Sequence, residues 1–194
     1  MKLDFGKPQN VTAPIAERRL RSELESLGFL STKEPPSAAA QRMVSELKSH
    51  GVALPTARSL KLVRKINEQS EVFIYPGVRK KGAGILVDPV IGLENTILRE
   101  RLVAIGWDGS TSVCHVYLGL KASWGQFPVQ TEPELDRAAS EFIKAVVEVG
   151  LPMMREFDTL DKVRQLFRND LDATKQVNVA VLFAEEKLKV IEGH

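Results

Sequence analysis

The chain reads as an α+β domain with a largely antiparallel sheet in the middle of the chain, flanked by N-terminal helices and packed by C-terminal helices. Three observations predict this. Apolar residues recur at helical spacing before residue 51 and again after residue 131. Between them the period falls to two, in short runs rich in β-branched and aromatic residues. Those runs are joined mainly by short turns bearing Pro and Gly, which favours antiparallel pairing. The division puts an N-terminal helical segment at 1–56 and the α+β domain at 57–194, read together as one compact unit.

Each element has its own warrant. Thr12 is placed to cap a first helix, and Pro14 sits in its first turn, where a missing N–H does no harm. Ala16, Leu20, Leu24 and Leu27 form its stripe, and Gly28 ends it. Residues 31–36 are a connector. Ser37 opens a second helix carrying Ala40, Met43, Val44 and Leu47, closed by Gly51. From 58 to 66, Leu60, Leu62 and Ile66 alternate with Lys61 and Lys65, the pattern of a half-buried strand. Residues 72–75 are a β-branched and aromatic run stopped by Pro76 and Gly77, and Arg79, Lys80 and Lys81 are read as part of the following turn. The run Ile85, Leu86 and Val87 comes next. Residues 94–105 read as a helix with Ile97, Leu98, Leu102 and Ile105 on one side. Residues 113–120 are the clearest strand, with Cys114, Val116, Leu118 and Leu120 on one face and Val113, His115, Tyr117 and Gly119 on the other. A loop at 122–129 leads to Thr131 and Glu134, a capping-box pair. Leu135, Ala138, Ala139, Phe142, Ile143, Val146 and Val147 then hold one helical face, the strongest pattern in the chain and the expected cover of the sheet. Gly150 is expected to stop this helix and Pro152 to turn the chain. Asp158 or Thr159 caps a further helix bearing Leu160, Val163 and Phe167. In 176–191, Val177, Val179 and Val181 alternate like a strand, but the run at 184–189 favours helix.

Composition bounds the function. With 43% hydrophobic and 27% charged residues, the chain is neither disordered nor collagen-like. Its single Cys cannot close an intramolecular disulfide or build a Cys-based zinc site, and it points to a reducing compartment. No apolar run approaches the ~20 residues of a membrane span, and the first residues lack a signal-peptide core, so a cytoplasmic location is expected. The net charge of +2 conceals a polarity: residues 1–57 carry +2, residues 58–101 carry +4, and residues 102–194 carry −4. Such a chain suits partners of either sign, or self-association in which the two ends meet.

Catalytic motifs are missing. The sequence has no phosphate-binding loop, since Gly82 and Gly84 are not followed by Gly-Lys-Ser/Thr, and no nucleophile elbow. Its His residues are His50, His115 and His194, none with a second His at ligand spacing, so no metal and no cofactor are expected. Cys114 and His115 are adjacent on a strand and point to opposite faces, which disfavours a nucleophile–base pair; Cys114 reads as a core thiol. His115 shares its face with Tyr117 and could bind a small ligand or a partner. Glu134, Asp136, Glu141 and Glu148 lie off the apolar stripe of their helix, as on a solvated face. Arg79, Lys80 and Lys81 form the densest basic group, although nucleic-acid binding would call for a higher net charge and interleaved aromatics. Trp124 and Phe127 on the 122–129 loop either plug the core or form a contact hot spot, and Trp107 poses the same question.

Three stretches carry a resemblance: Leu27, Gly28 and Phe29 after the first helix; Asp88-Pro89-Val90-Ile91-Gly92-Leu93; and the run from Val149 through Gly150, Leu151 and Pro152 to Leu160 and Val163. Together they resemble small bacterial α+β domains of unknown function, some of which look like immunity proteins of polymorphic toxin systems. The resemblance covers roughly residues 60–190. Its motifs are structural, so it implies a fold and a binding role and brings no catalytic residues. The expectation is a non-enzymatic protein-binding domain that neutralises a toxin through Arg79, Lys80, Lys81, Trp124 and Phe127. The alternative is a small-ligand or enzymatic site on the His115 and Tyr117 face, and a weaker one is nucleic-acid binding through the basic middle.

Overall fold

The computed structural model describes residues 11–32, 60–82, 84–107, 111–118, 127–173 and 179–193. The expected helix at 37–51, His50, His194, Ala83, Trp124 and the far end of the 113–120 strand lie outside them. Within them the chain is an α+β protein in which every strand pairing is antiparallel.

α1 (Ala13–Ser26) buries Ala16, Leu20 and Leu24, and Gly28 follows it at φ +81°, a left-handed turn that suits glycine. β1 (Leu30–Ser31), β2 (Leu62–Lys65), β3 (Ser70–Tyr75), β6 (Val90–Asn95) and β7 (Ser112–Tyr117) form one sheet in that spatial order. β4 (Val78–Lys81), β5 (Gly84–Val87) and β8 (Phe127–Val129) form a second, smaller one. α2 (Thr96–Ala104) leaves β6 directly. The C-terminal part is α3 (Glu132–Ala145), a π turn (Val146–Gly150), α4 (Leu151–Arg155), α5 (Leu160–Ala173) and α6 (Val179–Glu192). From Val179 on, the two-way pattern at the end of the chain resolves as helix, and residues 176–178 lie outside the described residues.

One buried cluster joins these parts. Leu62, Ile74 and Ile91 from the large sheet meet Ile85, Val87 and Val129 from the small one, together with Leu20 and Leu24 of α1, Leu135 and Phe142 of α3, and Val163 and Phe167 of α5. α3 is therefore part of the cover the sheets need. Its start is fastened by Glu134, whose carboxylate accepts the backbone N–H groups of Gln130 and Thr131 at 2.7 and 3.0 Å. Those two bonds hold the carboxyl below the usual value for Glu.

Several sequence expectations are corrected. Arg79, Lys80 and Lys81 are not in a turn: they make up most of β4. Residues 127–129, expected in a loop, are strand β8, and the connector at 31 begins as strand β1. The helix expected from residue 94 starts at Thr96, because Glu94 and Asn95 still pair with β3; Asn95 caps it, accepting the Leu98 N–H at 3.1 Å. Residue 150 does not stop α3. Gly150 is helical at φ −65°, and the chain runs on through the π turn into α4. Its lack of a side chain serves packing instead, since a Cβ there would come within 2.7 Å of Ile91 Cδ1. The wider π turn also accommodates Pro152, whose ring would press on the carbonyl one turn back in a regular helix. Finally, the clean alternation expected along 113–120 is broken. A bulge opposite Leu93 and Glu94 leaves Val113 unpaired, so Val113 is buried and Cys114 also packs on the core.

Candidate functional site

The basic hairpin is built from two close approaches. Gly77 sits at φ +63°, and a Cβ there would lie 1.9 Å from the carbonyl oxygen of Asp88, so the turn into β4 demands glycine. Asp88 N–H donates to the Gly77 carbonyl at 3.2 Å and closes the base of the ladder. From there Val78 opposes Val87, Arg79 opposes Leu86, Lys80 opposes Ile85, and Lys81 opposes Gly84. Arg79 and Lys81 consequently lie on one face and Val78 and Lys80 on the other. β4 is the edge of its sheet, and Arg79, Lys80 and Lys81 are all exposed. Arg79 reaches the Asp88 carboxylate at 3.3 Å, but its side chain is 60% exposed and the pair is worth little. Lys80 and Lys81 have no ion-pair partner among the described residues.

The other sequence candidates are dispersed. Phe127 stands on β8 opposite Val87, half-buried and packed against the core cluster, two strands away from β4. Trp124 lies outside the described residues. His115 is exposed on β7 opposite Gly92, and Tyr117 stands in the same strand opposite Val90. Cys114 packs on the core, its Sγ 3.9 Å from the Met154 sulfur.

Sequence reasoning missed a charge network on the outer face of the large sheet. Register places Glu71 directly opposite Glu94, a like-charge pair that would repel. Two cations offset it. Lys61 Nζ meets Glu94 Oε1 at 3.0 Å, and Arg99, from the first turns of α2, meets Glu94 Oε2 at 3.2 Å and Glu71 Oε2 at 3.6 Å. Lys61 and Glu94 are only 12% and 11% exposed. Beneath them Phe73 lies across Gly92, where a Cβ would come 2.2 Å from Phe73 Cζ, and Lys61 Nζ stands 5.2 Å above the ring. Lys61 was legible as a strand residue, but its partner is 33 positions away.

Lys187 of α6 was missed as well. It is buried, and its ammonium donates to the Ser112 carbonyl at the β7 bulge. Among the described residues no carboxylate lies within ion-pair distance of it. Burial lowers its pKa from 10.5 to about 8, with Cys114 acting in the opposite sense. An open groove of about 380 Å³ lies between the ends of α2 and α6, next to Arg101, Ile105, Val190 and Glu192. Its polar groups are engaged: Arg101 donates to the Val190 and Ile191 carbonyls, and Glu192 pairs with Arg168. Among the described residues no group of three His, Cys, Asp or Glu side chains is arranged to hold a metal ion, and no helix is long and apolar enough to cross a membrane. Compared with known proteins, the chain matches no family model, no curated protein and no solved structure.

Proposed function

We propose that the chain is a non-enzymatic protein-binding domain of the immunity type, acting in the cytoplasm of a bacterial cell. Its contact surface is the basic edge at Arg79, Lys80 and Lys81, and its partner is a toxin with an acidic surface. One observation carries this reading: Lys80 and Lys81 are consecutive on an edge strand, exposed and without a counter-charge among the described residues. The charges on the outer face of the large sheet, by contrast, are paired within the chain. A cation with no internal partner retains its full attraction for an external carboxylate, and it steers a negative partner from a distance. Co-expression with the product of the adjacent gene tests the reading. The wild-type chain forms a complex and relieves toxicity, and the pair Lys80→Glu and Lys81→Glu does neither while its circular dichroism stays unchanged. If the wild-type chain neither binds nor relieves toxicity, the reading fails.

A second reading is supported by the exposure of His115 on β7, beside the Gly92 and Phe73 contact. There a small anionic ligand would accept a hydrogen bond from the imidazole ring. Perturbation of the His115 ring signals by inorganic phosphate, lost in His115→Gln, distinguishes it from the first.

A further inference from the structure

We infer that the partner engages β4 by strand addition, an extended acidic segment of another protein becoming the fourth strand of the small sheet. This rests on the protein-binding reading and adds the mode of contact. The hydrogen-bond phase of the hairpin carries the argument. Because the Asp88 N–H donates to the Gly77 carbonyl, residues 77 and 88 form a hydrogen-bonded pair. In an antiparallel ladder such pairs alternate with non-bonded ones. Arg79 with Leu86 and Lys81 with Gly84 are then bonded pairs, whereas Val78 and Lys80 turn their N–H and C=O groups away from β5. Among the described residues β4 has no neighbour on that side in the sheet, and the edge-facing groups of Val78 and Lys80 have no hydrogen-bond partner. α1 packs against β4, yet Arg79, Lys80, Lys81 and Gly82 all remain exposed. Two residues in i, i+2 phase with open donors and acceptors are the template an added strand uses.

The occupant follows from charge. A second copy pairing β4 to β4 would set Arg79, Lys80 and Lys81 within about 5 Å of their own counterparts, a repulsion that blocks self-pairing. A strand with carboxylates at alternate positions places them beside Arg79 and Lys81 on one face, with a further acid beside Lys80 on the other. The lysines therefore exclude neutral edges and admit an acidic one.

The test pans the full chain against a displayed library of random dodecapeptides, and the selected peptides are then measured by calorimetry. Acidic peptides of high β-propensity are expected. N-methylation, scanned one amide at a time along a selected peptide, weakens binding about tenfold or more at alternate positions and little at those between. Lys80→Pro, which removes an edge-facing N–H without touching the bonds to β5, weakens binding at least about tenfold more than Lys80→Gln, which removes only the charge. If Lys80→Pro unfolds, the N-methyl scan on the wild-type chain decides alone. Enrichment of no acidic peptide, or N-methyl effects without a period of two, overturns strand addition. In the second case, loss of binding by Lys80→Glu with Lys81→Glu shows that the protein-binding reading survives without it. Equal binding by those variants removes both.

Discussion

The outer face of the large sheet and the edge of the small one hold similar residues and treat them in opposite ways. On the first, Lys61 and Arg99 are locked to Glu94 and Glu71 above an aromatic ring, and the charges cancel. On the second, Arg79 alone meets a carboxylate, that of Asp88, and Lys80 and Lys81 have no ion-pair partner among the described residues. The lesson is that a lysine's role is set by where its counter-charge sits. Paired and half-buried, it ties elements of the fold together; exposed on an edge without an ion-pair partner among the described residues, it is expected to add little to folding. Substitutions in the first region should therefore act on stability, and those in the second on binding alone.

The largest expected effect is at Gly92. A Cβ there meets Phe73 Cζ at 2.2 Å and the Cys114 carbonyl oxygen at 2.8 Å, so both the ring and a backbone strand would have to move. Gly92→Val is expected to destabilise by roughly 4 kcal/mol, beyond the usual cost of overpacking. Urea unfolding checks it. A loss under 1 kcal/mol would show that Phe73 can leave its seat freely and that the outer face is not a packed unit.

Lys187 sharpens the comparison, because it is more buried than Lys61 and has no carboxylate within ion-pair distance among the described residues. Its folded pKa of about 8 lies below the ordinary 10.5. The unfolded chain thus binds more protons between those values, and stability rises with pH across that window. The contribution is fully present above pH 10.5 and is lost as pH falls through 8. At pH 7 the buried ammonium withholds about 3 kcal/mol from the fold. Lys187→Met is expected to recover much of this at pH 7 and to flatten the rise. Urea midpoints at pH 7 and pH 9.5 for both chains check it, and parallel pH curves would refute it.

Glu94→Gln comes next. It leaves Lys61 and Arg99 without their shared carboxylate at a site only partly open to water, at a cost of about 2 kcal/mol. Adding Lys61→Met should return part of that loss, as the unmatched ammonium is then gone. If the double variant is no more stable than the single one, Lys61 is held by its place over Phe73 rather than by Glu94.

The sequence shows clearly those elements whose local pattern is also their tertiary role. The stripe of α3 and the Glu134 cap were legible because both are decided within one turn or two. β4 was not. An edge strand exposed along Arg79, Lys80 and Lys81 shows no alternation, and the preceding Pro76 and Gly77 imitate a longer turn. β8 was hidden by Pro128, which is tolerated because β8 is itself an edge. The bulge at Val113 defeated the two-residue period by burying the consecutive residues Ser112 and Val113. The basic residues of the candidate site could be named in advance, but their openness could not, since that depends on the ladder phase set by Asp88 and Gly77. The network at Glu94 depends on the register of three strands, and no local pattern encodes that.

The smallest expected effect on folding belongs to the residues expected to matter most for binding. Lys80 and Lys81 are exposed and make no ion pair among the described residues, so Lys80→Glu and Lys81→Glu should each change stability by no more than about 0.5 kcal/mol. A slight gain is expected, because each change reduces the repulsion along β4. Thermal melts read this directly. A loss above 1 kcal/mol for either variant would mean that the edge lysines help to hold the hairpin itself. The contrast with Lys61 would then collapse, and the charge of β4 would have to be explained by folding rather than by a partner.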